Sequence, residues 1–89
     1  MTTRRKVIKE SELNELIEKI NVRTNSPLKP YSGAGVSNVG NYHLDMAYGG
    51  YNLVQMANTG GGVTCPLGGG YYTKRELYNK LQVYLSQIG

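Results

Sequence analysis

One local pattern between residues 42 and 57 constrains the fold of this chain more than anything else in it. Tyr42, Leu44, Met46 and Tyr48 alternate with His43, Asp45 and Ala47, and the run Tyr51-Asn52-Leu53-Val54-Gln55-Met56-Ala57 follows Gly49-Gly50. Period-two alternation marks half-buried strands. Two glycines between such runs fit a type I′ turn, whose central residues both need positive φ. The expected hairpin therefore pairs Tyr48 with Tyr51, Met46 with Leu53, Leu44 with Gln55 and Tyr42 with Ala57 on its more apolar face. His43 with Met56, Asp45 with Val54 and Ala47 with Asn52 take the other face, which gathers His43, Asp45 and Asn52.

Helical patterns flank the hairpin. Leu13, Leu16, Ile17 and Ile20 recur at i, i+3, i+4 and i+7, predicting a helix over 11–22 with Ser11 as its N-cap. Thr73-Lys74-Arg75-Glu76 is a capping box, followed by the stripe Leu77, Leu81, Tyr84, Leu85 and Ile88. Between the first helix and the hairpin, residues 24–40 carry two prolines and three glycines and read as a connector without regular structure. Residues 63–67 can add a short third strand, with Pro66 arguing for an edge position. The expected fold is α+β, ordered α-β-β-β-α: a small three-stranded antiparallel meander with two helices on one face. Residues 1–10 read as a basic flexible arm and 11–89 as a single domain.

Size limits how such a fold is held together. A chain of 89 residues forms one domain with a thin core, burying only about 60–65% of its unfolded surface. Cys65 is the single cysteine, which excludes an internal disulfide. One Cys and one His, His43, cannot complete a zinc knuckle. Self-association is the remaining support, so a homo-oligomer is expected. No apolar run approaches the ~18–20 residues of a membrane span, and the charged opening has no signal-peptide core. The expected location is the cytoplasm.

Charge and aromatic content direct attention to the middle of the chain. Between 24 and 73 the only charged side chains are Lys29 and Asp45. The protein has 12 Gly and eight Tyr, without any Phe or Trp, and choosing the hydroxylated ring every time points to rings with one wet edge. Tyr42, Tyr48, Tyr51, Tyr71 and Tyr72 flank the glycine runs, where aromatic faces beside bare backbone suit a stacked ring. The run Gly68-Gly69-Gly70-Tyr71-Tyr72-Thr73-Lys74-Arg75 leads a Gly-rich loop into a helix start, where backbone N–H groups favour an anion. Lys74 and Arg75 in that first turn run against the macrodipole; they read either as phosphate ligands or as solvated cations. Neither a Walker loop nor the dinucleotide fingerprint is complete, since Asn38 stands where the latter needs its third glycine. With no paired carboxylates and no base near Cys65, the chain reads as a binder and not an enzyme, without cofactor or metal. Arg4, Arg5, Lys6 and Lys9 offer a small cationic footprint, but the acidic Glu10–Glu18 segment follows at once, which weighs against nucleic acid as the partner.

The hairpin Tyr-x-Leu…Ala-Tyr-Gly-Gly, the Asn-x-Gly-Gly-Gly turn and the helix opening Lys-Arg-Glu-Leu-Tyr resemble short uncharacterised bacteriophage proteins over roughly the last 50 residues. That resemblance implies a phage-type protein acting in the bacterial cytoplasm. By analogy with phage anti-defence sponges, it implies an oligomer that sequesters an immune signalling nucleotide, either cyclic or derived from ADP-ribose. The expected ligand-binding residues are His43, Asp45, Tyr48, Tyr51, Asn52, Tyr71, Tyr72, Thr73, Lys74 and Arg75. The alternative is a host-takeover inhibitor that docks on a host protein, followed by a nucleic-acid-binding accessory protein.

Overall fold

The computed structural model describes residues 7–88. In chain order α1 is Glu10–Arg23, β1 Tyr42–Ala47, β2 Gly50–Met56, β3 Val63–Thr64 and α2 Lys74–Ile88. The strands form one antiparallel sheet in the order β1-β2-β3, giving the expected α+β fold, α-β-β-β-α. Leu13, Leu16, Ile17 and Ile20 of α1 and Leu77 and Leu81 of α2 meet Tyr42 and Leu53 in one core. Leu44 and Tyr51 pack against it from the same sheet face. The apolar stripes of both helices and the alternation of the hairpin thus converge on one layer.

Between α1 and the sheet, Asn21 acts as a two-point clamp. It is buried in the last turns of α1, donates from Nδ2 to the Tyr42 carbonyl (2.9 Å) and accepts from the Tyr42 N–H at Oδ1 (2.8 Å). Both backbone groups of the first β1 residue are satisfied by one side chain. At the other helix the capping box closes as expected. Thr73 N–H donates to Glu76 Oε1 (2.9 Å) and Glu76 N–H to Thr73 Oγ1 (3.1 Å). The Thr73 N–H bond to the carboxylate, followed by the Thr73 hydroxyl, favours the ionised form, so the Glu76 carboxyl lies below its ordinary range.

Several local expectations are corrected. α1 starts one residue earlier than expected, with Lys9 and not Ser11 at the N-cap and no side-chain capping bond there. Ile8 is buried in the core, so the packed domain begins before residue 11; the part of the expected arm at 1–6 lies outside the described residues. β3 is only two residues long, and Pro66 lies just beyond it at the sheet edge. The connector is not structureless. Tyr31 bridges Ser37, Ser32 and Val36 close a turn, and Asn38 bonds back to Lys29 and Pro30. Ser37 N–H and Gly40 N–H then tie this small hairpin to Thr59 and Met56.

The main correction concerns the register of the central hairpin. Observed partners are Tyr42–Gln55, His43–Val54, Leu44–Leu53, Asp45–Asn52, Met46–Tyr51 and Ala47–Gly50. The two turn residues are Tyr48 (φ 54) and Gly49 (φ 74), not Gly49-Gly50. The turn keeps positive φ at both central positions but sits one residue earlier. Gly50 is needed elsewhere. The segment at Tyr71–Tyr72 pairs antiparallel alongside β2 there, with reciprocal bonds between Tyr51 and Tyr72 (2.9 and 2.8 Å), and a Cβ on Gly50 would lie 2.7 Å from the Tyr71 Cβ. A close backbone approach therefore claims the second glycine, and Tyr48 takes the left-handed turn position. Moving the turn by one residue leaves every strand residue on its expected face.

Candidate functional site

Three of the expected residues meet at the hairpin tip. Tyr71 Oη donates to Asp45 Oδ2 at 2.7 Å. The Tyr48 and Tyr71 rings pack edge-to-face, with centroids 5.8 Å apart and planes at 63°. Tyr71 arrives there because the segment paired with β2 at Tyr72 places it against Gly50, on the sheet face that carries Asp45. The bond to Asp45 is the largest reason that the Tyr71 phenol is pushed above its ordinary range. Tyr48 is 97% exposed on a backbone that non-glycine residues seldom adopt. The second Asp45 oxygen accepts no bond from a described residue.

His43 lies on the same face, two residues along β1 and about 7 Å from Asp45 by strand geometry. Its Nδ1 is 3.1 Å from Asn41 Oδ1, an oxygen that only accepts, while Asn41 Nδ2 donates to the Pro27 carbonyl (2.7 Å). The neutral ring therefore carries its proton on Nδ1 and presents Nε2 as an acceptor. Burial holds the His43 pKa below its ordinary value, with Asp45 opposing.

The remaining expected residues are placed differently. Asn52 faces the same way as Asp45 but is only 2% exposed. Its Nδ2 donates to the Gly68 carbonyl (3.1 Å) and its Oδ1 accepts from the Leu53 N–H (2.8 Å), so its amide anchors the glycine loop. Thr73 is the cap described above. Tyr72 packs against the core, donates to the Leu67 carbonyl (3.2 Å), and has the Lys80 ammonium 4.8 Å above its ring. Tyr51 is on the helix side of the sheet, and Lys74 Nζ lies 5.7 Å from its ring centroid. Lys74 is thus drawn toward the face opposite Asp45 and Tyr71. Arg75 is half-buried in the first turn of α2.

Sequence reasoning did not find a groove of about 370 Å³ lined by Leu67, Asn79, Lys80, Val83, Tyr84 and Gln87. The outward i, i+4 spacing of Asn79, Val83 and Gln87 was the available signal, but only the fold brings Leu67 opposite them. Among the described residues no three His, Cys, Asp or Glu side chains gather in a metal-binding group, and no helix is long and apolar enough to cross a membrane. No family model, curated protein or solved structure matches the chain.

Proposed function

We propose that the protein is a non-enzymatic binder that captures a small nucleotide, with its base at the hairpin tip. The observation that carries this reading is the Asp45–Tyr71–Tyr48 cluster: a carboxylate oriented by a phenol, beside an exposed ring held on a strained backbone. Exposed aromatic rings stack on bases, and polar groups beside them read base edges. Arg75, in the first turn of α2, is the cation offered to the phosphates, whereas Lys74 leans over Tyr51 on the opposite face of the sheet. The formal net charge of +4 favours an anionic ligand. Because Tyr48 is 97% exposed in one chain, with Tyr71 as its one ring neighbour among the described residues, a second copy supplies the missing wall, in keeping with a homo-oligomer. The resemblance to phage proteins makes a bacterial immune signalling nucleotide the ligand class, bound in the host cytoplasm and withheld from its receptor.

Native mass spectrometry of the protein, with and without cyclic dinucleotides and cyclic ADP-ribose isomers, tests this. A retained nucleotide mass on an oligomer is expected. Tyr48→Ala should weaken capture by about 1–3 kcal/mol per stacked base, and Arg75→Ala should weaken it further for phosphorylated ligands than for nucleosides. Indifference to the whole panel would remove the reading. The second reading, docking on a host protein, is favoured by the groove between Leu67 and the outer side of α2, where Val83 is 57% exposed. It predicts that Val83→Glu abolishes co-purification of a host factor and that no nucleotide mass is retained.

A further inference from the structure

The groups open on the hairpin's polar face are acceptors. Asp45 is the single acidic side chain between residues 24 and 73. Tyr71 holds one of its oxygens by a 2.7 Å bond. A carboxylate oxygen has two lone pairs, so Oδ2 can accept a second donor in line with Oδ1. His43 donates through Nδ1 to Asn41, which leaves Nε2 as another acceptor. A ligand edge that fits here must present donors side by side.

We propose that Asp45 selects guanine over the other bases, an inference that rests on the nucleotide-capturing reading above. The Watson–Crick edge of guanine offers N1–H and an exocyclic N2–H₂ in parallel, matching the two oxygens of one carboxylate. Adenine and cytosine each place a single amino group beside a ring nitrogen acceptor, whose lone pair would face the second carboxylate oxygen. Uracil sets one N–H between two carbonyls. Tyr71 serves as the positioning residue: its hydroxyl fixes the plane of the Asp45 carboxylate before the base arrives. Tyr48 supplies the stacking surface and does not discriminate among bases.

Isothermal titration of the full chain with cyclic di-GMP, cyclic di-IMP and cyclic di-AMP tests the assignment. The inosine ligand keeps N1–H and lacks the exocyclic amino group, so affinity should fall in the order guanine, inosine, adenine. The guanine-to-adenine ratio should be tenfold or more, on the order expected for a bidentate pair. Asp45→Asn keeps an acceptor for Tyr71 but turns one oxygen into a donor, and should reverse the preference toward adenine. Tyr71→Phe should reduce the guanine-to-adenine ratio, whereas Tyr48→Ala should weaken all ligands alike and leave the ratio unchanged. Equal affinity for the three ligands, or a preference that survives Asp45→Asn, would overturn guanine selection while leaving nucleotide capture standing. Absence of binding by all three, with a cyclic ADP-ribose isomer bound, would also overturn guanine selection alone. No binding by any of these ligands would remove both readings.

Discussion

At the scale of single residues, Tyr48 is the position where conformation and side chain disagree. A non-glycine residue in the left-handed region costs about 1–2 kcal/mol, and at the hairpin tip the ring recovers little by burial, being 97% exposed. Tyr48→Asn should raise the stability of the fold by about 1 kcal/mol, because Asn-Gly is the favoured type I′ pair, while lowering nucleotide affinity. A chemical-denaturation midpoint read beside a binding isotherm checks both directions. A Tyr48→Asn protein that is less stable than the parent would restore the register with Tyr48 inside the strand. Asn21 works the other way. Asn21→Ala leaves the buried N–H and C=O of Tyr42 without their partner, and the loss should reach at least about 2 kcal/mol in the same assay. His43 was legible as a polar-face residue, but its bond to Asn41 was not, because the partner's orientation is set by Pro27 far away in sequence.

Among elements, the helix starts and the sheet edge set local stability. Thr73→Ala removes half of the reciprocal capping box and should cost about 1 kcal/mol. Glu76 has a folded pKa below its unfolded value, so its contribution is present above the ordinary carboxylate range and is lost as the pH falls through the folded pKa. The β1 and α2 elements are joined at Tyr42 and Tyr84, whose hydroxyls share a 2.9 Å hydrogen bond with ring centroids 5.9 Å apart. Burial, then the Tyr84 contact, pushes the Tyr42 phenol up to about 12. A raised folded pKa gives stability that is complete below the unfolded value of about 10 and is lost as the pH rises toward 12. Denaturation midpoints measured from pH 8 to 12 should therefore decline above pH 10, and Tyr42→Phe should flatten that decline. Both helices were readable from their stripes. The length of β3 was not, because two residues carry too little pattern to define where pairing ends.

At the scale of the whole molecule, the core is small and each large side chain in it matters. Leu13, Ile20, Leu53, Leu77 and Leu81 are fully buried. Leu81→Ala should cost about 2–5 kcal/mol, a large share of the total stability expected of one small domain. Its thermal transition should fall sharply or vanish. A nucleotide that binds only the folded state should recover part of the loss in proportion to its concentration. The same fold separates the expected ligand residues into two groups. Asp45, Tyr71, Tyr48 and His43 lie with the polar face or tip, whereas Tyr51, Tyr72 and Lys74 lie toward the helices. Their closeness in sequence gave no sign of that division, since the strand-like pairing at Tyr71–Tyr72 points successive side chains to opposite sides of the sheet.

By itself the sequence determined the order of elements, the faces of the hairpin and the helical stripes. Each rests on periodicity over neighbouring residues, and faces survive a turn shifted by one residue because the side-chain period is two. Tertiary structure decided which glycine turns the chain and which of the clustered polar residues remain open. Gly49-Gly50 is locally the better turn. The segment paired beside β2 at Tyr71–Tyr72 claims Gly50 for close packing and moves the turn onto Tyr48. Asn52 reads locally as a polar-face ligand, yet the glycine loop that folds over it satisfies its amide and closes it from solvent. Such outcomes depend on contacts between segments far apart along the chain, and no local pattern of residue types encodes where those segments meet.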